Sequence, residues 1–135
     1  SAASDVYKRQ AAETVNAEAA PNLAITKSVS PVPVTENGTL TYTFRIQNYG
    51  SVAATNTTGV VITDTFAPVL NNLTAALNGT AWTAATDYTY NEATGTFSST
   101  AGAITVPAAT YTQDSTTGAW VVTPGESTLV ITGTV

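Results

Sequence analysis

The chain has 135 residues, with four basic and nine acidic residues, a formal net charge of −5 at pH 7, and neither cysteine nor histidine. The missing cysteine excludes disulfides, thiol nucleophiles and cysteine-bound zinc, and the missing histidine removes the commonest general base and metal ligand. So acidic a chain offers no footprint for nucleic acid or anionic lipid, and no segment is apolar over a membrane-spanning length. We therefore expect no enzyme activity, no cofactor, no metal and no membrane insertion.

The first 21 residues are interpreted as lying outside the folded domain. Residues 5–10 (DVYKRQ) match the translation of a transposon end used in sequencing adapters, so residues 1–10 are interpreted as a library artefact. Residues 11–21 are small and polar and end at a proline, which predicts a linker or the tail of a preceding repeat. The domain is predicted over residues 22–135. Because the chain lacks an initial methionine, we expect it to be an internal piece of a longer protein.

Within this domain, short strands alternate with turn signals. Threonine, 28 of the 135 residues, is β-branched and favours strands. The pattern shows no helical period and predicts an all-β immunoglobulin-like antiparallel β-sandwich, with residues 73–109 as an extra hairpin-rich segment. The predicted strands, in chain order, are 23–29, 39–48, 60–66, 73–77, 80–83, 87–90, 96–98, 104–106, 111–113, 120–123 and 128–135.

Three polar residues continue apolar stripes along the predicted strands. Strand side chains alternate between faces, so residues two apart share a side of the sheet. Lys27 follows Leu23 and Ile25, Asn48 follows four apolar positions in 40–46, and Asp64 follows Ile62. A lone ammonium that points toward a β core is costly unless it is paired or consumed in a reaction. The sequence therefore marks Lys27, Asn48 and Asp64 as candidate site residues.

Two interpretations of this trio stay open. In the first, the neutral Lys27 amine attacks the Asn48 carboxamide carbon, ammonia leaves, and a protonated Asp64 shuttles protons, which gives an intramolecular isopeptide bond. Such a bond would constrain the unfolded chain as a disulfide does. In the second, Lys27 and Asp64 form an ion pair or Lys27 snorkels to the rim, and Asn48 is a turn former beside Gly50.

Four aromatic residues cluster in the hairpin-rich segment, at Trp82, Tyr88, Tyr90 and Phe97. Exposed, they would form a platform for a glycan or a host protein; buried, they would be ordinary core rings. A spacer protein should show no contiguous exposed aromatic patch, whereas a binding module should show one.

Four segments occur together in a recognisable order, namely TKSVSP, TLTYTFRIQNYG, VVITDTF and PGESTLVITGTV. They resemble the conserved repeat domain, known as domain of unknown function eleven, of Gram-positive bacterial cell-surface proteins. Lys27, Asn48 with Gly50, and Asp64 match the recurring positions of that family. The resemblance implies an immunoglobulin-like sandwich repeated in tandem in exported, often wall-anchored proteins, without enzyme activity.

The sequence thus predicts a non-catalytic stalk or spacer repeat of an extracellular adhesin or other surface protein, with neighbouring repeats as partners. The alternative is an extracellular module that binds glycan or host protein through the aromatic hairpins.

Overall fold

The computed structural model describes residues 20–32 and 35–135, so the interpretations of residues 1–10 and 11–19 lie outside the described residues. The described part contains strands and no helix. The all-β prediction is therefore confirmed. In chain order the strands are β1 (Leu23–Ser30), β2 (Thr39–Asn48), β3 (Thr63–Thr65), β4 (Asn71–Leu77), β5 (Thr80–Ala81), β6 (Tyr88–Asn91), β7 (Thr96–Ser99), β8 (Thr110–Gln113), β9 (Trp120–Thr123) and β10 (Gly125–Thr134).

The strands form three antiparallel sheets. A five-stranded sheet has the order β1-β2-β10-β4-β5, a three-stranded sheet has the order β3-β7-β6, and β8 and β9 form a two-stranded sheet. The two larger sheets enclose one apolar core, in which the Tyr42 ring of β2 lies 4.5 Å from the ring of Phe66, just after β3. This arrangement is consistent with a β-sandwich, since each sheet buries one face against the other.

Strand β2 is central to the large sheet. Its side chains alternate between buried and more exposed positions, as expected when one face of a strand meets the core. Both β1 and β10 pair with β2 in antiparallel fashion, with Leu23 and Gly125 each opposite Asn48. The strands β1 and β10 therefore run parallel to each other on either side of β2. The domain begins at the Asn48 end of the sheet and finishes at the opposite end, where Gly133 faces Leu40.

The largest differences from the predicted strands lie at residues 60–66 and 104–106. Strand β3 covers only three residues of the predicted 60–66, because its partner β7 is itself only four residues long. The predicted strand 104–106 is an irregular segment with a single bridge between Val106 and Ala54, although Ile104 and Val106 are buried. An apolar run indicates burial, but it does not indicate whether a ladder partner of the right length exists.

The hairpin-rich segment 73–109 is part of the sandwich rather than an addition to it. It supplies most of β4 and all of β5, which extend the large sheet, and it supplies β6 and β7, which make most of the small sheet. The pair β8–β9 is the hairpin that stands apart, and every residue in its two strands is exposed.

Candidate functional site

Lys27 and Asp64 meet at the open side of the sandwich. Lys27 lies on the edge strand β1 opposite Phe44, and Asp64 lies on β3 of the other sheet. The Lys27 Nζ is 2.5 Å from Asp64 Oδ2 and lies over the rings of Tyr42 and Phe66, at 5.1 Å and 6.0 Å from their centroids. The Lys27 side chain is 44% exposed and that of Asp64 is 19% exposed. The pair is thus a half-buried electrostatic tie between the two sheets.

The two oxygens of Asp64 have different partners. Oδ1 accepts a hydrogen bond from the backbone N–H of Thr65 at 2.8 Å. Oδ2 is shielded from solvent and accepts no hydrogen bond from the residues that the structure describes, so the ammonium of Lys27 is what compensates its charge. An unpartnered buried carboxylate oxygen is costly, so removing Lys27 should lower the stability of the fold mainly by leaving the charge of Asp64 uncompensated.

Asn48 is fully buried, and its side-chain amide forms hydrogen bonds with the surrounding backbone. Its Oδ1 accepts hydrogen bonds from the N–H groups of Asn22, at 3.0 Å, and Gly50, at 2.9 Å. Its Nδ2 donates to the carbonyl of Val52 at 2.8 Å. One side chain therefore fixes both the start of β1 and the turn that follows β2. A third bond closes this clasp, because the N–H of Tyr49 donates to the carbonyl of Asn22 at 2.8 Å.

The structure brings together two of the three residues that the parity argument selected. Lys27 and Asp64 are in contact, but Asn48 faces Leu23, four residues along β1 from Lys27. That separation is about 13 Å along the strand, whereas attack on a carboxamide carbon needs contact at about 3–3.5 Å. In this arrangement Lys27 cannot reach Asn48, and Asp64 cannot shuttle a proton between them. The geometry is that of the ion-pair interpretation, with Asn48 forming the turn beside Gly50.

Of the four aromatic residues predicted as a platform, two lie in the apolar core and two pack against it. Phe97 and Tyr88 are buried and stack at 5.4 Å, and the partly buried Trp82 stacks on Tyr88 at 6.3 Å. Tyr90 is also partly buried. These rings do not form the predicted exposed platform, because Trp82, Tyr88 and Phe97 stack on one another and Tyr90 packs against Phe66. The reason is that their hairpins belong to the sandwich and not to its surface.

The hydroxyl of Tyr90 ties β6 to the segment before β4. It donates to the carbonyl of Leu70 at 2.7 Å and accepts from the N–H of Leu70 at 3.0 Å. Burial raises the pKa of Tyr90 above its ordinary value, although the hydrogen bond from the Leu70 backbone acts in the opposite direction.

Two exposed aromatic residues, Tyr111 and Trp120, lie on a hairpin that the site prediction did not include. Trp120 is 65% exposed and Tyr111 is 44% exposed. Tyr111 pairs with Val122, and Gln113 pairs with Trp120, so all four side chains share one face of the β8–β9 hairpin. The other face carries mostly threonine. The sequence did contain a signal for this face. When one face of a hairpin carries mostly threonine, the other, apolar face is either buried or available to bind a partner.

The tip of this hairpin is closed by Asp114. Its Oδ1 accepts hydrogen bonds from the N–H groups of Thr116, at 2.7 Å, and Thr117, at 3.0 Å. These bonds to the carboxylate, first that from Thr117 and then that from Thr116, lower the pKa of Asp114 below its ordinary value. The turn is thus self-contained.

Within residues 20–32 and 35–135, no three or more acidic side chains gather where they could hold a metal ion. The same part of the chain has no helix with the length and apolarity needed to cross a membrane. Comparisons with protein-family models, with curated proteins and with solved structures gave no match for this chain.

Proposed function

We propose that the chain is a non-catalytic structural module, a stalk or spacer repeat, of an extracellular bacterial cell-surface or adhesin protein. The sequence resemblance motivates the cellular setting, and neighbouring repeats of the same polypeptide are the proposed partners. The mechanical role is supported by one feature of the large sheet, which is the placement of its first and last strands on either side of β2.

This placement sets the direction in which tension loads the sheet. Tension that arrives before Leu23 pulls β1 toward the Asn48 end, and tension that leaves after Thr134 pulls β10 toward the opposite end. Interstrand hydrogen bonds lie perpendicular to the strands. A pull along the strands therefore loads both ladders in shear, so that many bonds must fail together. A peeling pull would break the same bonds one after another.

Two side-chain features reinforce β1 against this load. The Lys27–Asp64 pair ties the middle of β1 to the opposite sheet. The buried Asn48 amide holds the N–H of Asn22, immediately before β1, which is the first point on which tension acts. Both features fit a module whose first strand must not slide.

The alternative function, an extracellular module that binds glycan or host protein, was tied to Trp82, Tyr88, Tyr90 and Phe97. Since these rings pack in the sandwich, that hypothesis has lost the surface on which it depended. By the patch criterion the exposed Tyr111 and Trp120 of the β8–β9 hairpin would still favour a binding module, so the spacer proposal rests on the strand geometry of the large sheet.

Pulling single molecules from two directions tests the mechanical role. Because the chain has no cysteine, the two thiols introduced into each variant are its only attachment points for the pulling handles. One variant combines Ala20→Cys with a cysteine added after Val135, which loads β1 and β10 in shear. The matched control combines Val32→Cys with the same C-terminal cysteine, which places both handles at one end and peels β1 from Ser30. We expect a clearly higher unfolding force for the first pair. Equal forces in the two geometries would refute the proposal.

A further inference from the structure

The β8–β9 hairpin presents an aromatic face, defined here as Tyr111, Gln113, Trp120 and Val122. These four side chains are exposed, and Trp120 is among the most exposed large apolar residues in the part of the chain that the structure describes. The hairpin is fixed in place rather than free, since the Tyr111 hydroxyl donates to the carbonyl of Tyr49 at 2.8 Å. Because the aromatic face is fixed in place and no part of the described sandwich covers it, we expect a partner to bind there.

The aromatic face lies at the end of the domain where β1 begins. The N–H of Ala109, just before β8, donates to the carbonyl of Gly50 at 2.9 Å, and Gly125, just after β9, faces Asn48. The opposite end carries Val32, which is 73% exposed and follows β1 by two residues. Val32 and Trp120 are the two most exposed large apolar side chains of residues 20–32 and 35–135, and they lie at opposite ends of the domain.

The size of the aromatic face decides which partner it suits. The exposed parts of Trp120, Tyr111 and Val122 amount to on the order of 300 Å². A stable complex of two free proteins buries about 800 Å² on each side. The face is thus too small to hold a free partner. It is large enough for a partner that is already tethered, because a short covalent connection gives an effective concentration in the millimolar range.

We propose that the aromatic face docks on the Val32 end of the preceding module in the same polypeptide. This inference rests on the proposed function as a spacer repeat, and it names the contact between repeats. The contact is head-to-tail, with different surfaces on the two modules, so the same contact can repeat from each module to the next. It limits bending at each junction between modules.

A head-to-tail fusion of two full 135-residue chains tests this contact. The chain has two tryptophans, and Trp82 is partly buried against Tyr88. Placing Trp120→Phe in the first copy leaves the second-copy Trp120 as the exposed reporter at the junction. Placing Trp120→Phe in the second copy gives the matched control, with the reporter at the free end. Burial of the indole predicts an acrylamide quenching constant lower by roughly twofold or more at the junction than at the free end.

Two surface substitutions locate the contact. Val32→Ser in the first copy should restore quenching at the junction. Val121→Ser in the second copy changes the other face of the same hairpin and should leave the protection intact. Equal quenching at the junction and at the free end would overturn the proposal, and so would a restoration by Val121→Ser alone.

Other occupants would give different results. Protection of Trp120 in the single chain at micromolar concentration would mean free self-association, and protection by added chitohexaose would mean a glycan; either overturns the tethered contact. The pulling experiment uses one module and does not involve the hairpin. Failure of the contact and failure of the spacer function are therefore separate results.

Discussion

Replacing Asn48 by alanine tests whether one buried amide holds the beginning of the domain together. The substitution removes the acceptor for the N–H groups of Asn22 and Gly50 and the donor for the carbonyl of Val52. Each lost hydrogen bond costs about 1 kcal/mol, and buried groups left without a partner cost more. Three lost bonds, one buried and two part-buried, predict a loss of roughly 3–5 kcal/mol, against about 5–15 kcal/mol for the stability of a whole domain.

The assays are urea and thermal denaturation followed by circular dichroism, with amide hydrogen exchange as a local readout. We expect the melting temperature to fall by roughly 10–15 °C or more, and the Gly50 amide to lose its protection. The matched control is Asn56→Ala, the same chemical deletion at an exposed turn position, which should cost less than about 0.5 kcal/mol. A loss below about 1 kcal/mol in Asn48→Ala, or an equal loss in both variants, would refute the clasp.

Three further predictions concern the ion pair, the chemistry of the trio and Tyr90. A double-mutant cycle with Lys27→Met and Asp64→Leu should give a favourable coupling free energy of about 0.5–1 kcal/mol at low salt. The coupling should weaken as the salt concentration rises, because the pair is half exposed. A coupling of zero would contradict the electrostatic tie between the sheets. The intact mass of the folded chain should show no loss of ammonia, about 17 Da, because Lys27 does not reach Asn48. A deficit of that size would mean that the isopeptide bond between Lys27 and Asn48 forms. A loss of water, about 18 Da, would mean that Lys27 has bonded to Asp64. Tyr90→Phe should cost about 1–2 kcal/mol near neutral pH through its two bonds to Leu70. Since burial raises the pKa of Tyr90 in the folded protein, the unfolded chain loses this proton first, and stability should fall as pH rises above the ordinary value of 10.0. The phenylalanine variant should lack that part of the alkaline slope, and an unchanged slope would contradict the assignment.

Strict alternation made the large sheet predictable from sequence. Residues 39–48 of β2 alternate without interruption, and the structure buries Leu40, Tyr42, Phe44 and Ile46. The last strand was found for the same reason. Its first residues, 125–127, were missed because glycine, glutamate and serine carry no apolar signal. They are strand because Gly125 packs closely under Pro107 and pairs with Asn48.

The sequence predicted which face of its strand each candidate site residue occupies, but not how far apart these residues lie along the strands. Parity correctly placed Lys27, Asn48 and Asp64 on inward faces, since Lys27 meets Asp64 and Asn48 is buried. Parity contains no information about register, and register sets Asn48 four residues from Lys27 along β1. The aromatic residues failed for a related reason. Composition shows which hairpins are apolar, but not which of them the two sheets enclose.

The edge position of β1 has a consequence for solubility. Its inward-facing residues Leu23, Ile25 and Val29 remain partly exposed, and no strand of the described part of the chain pairs with its outer side. An open strand with an apolar face is a template on which another chain can add a strand, and a charge in its middle is one way in which natural proteins prevent this. Lys27 supplies that charge. In a row of linked modules, where many such edges are held close together, we expect Lys27→Val to stay folded and yet to form aggregates sooner than the parent.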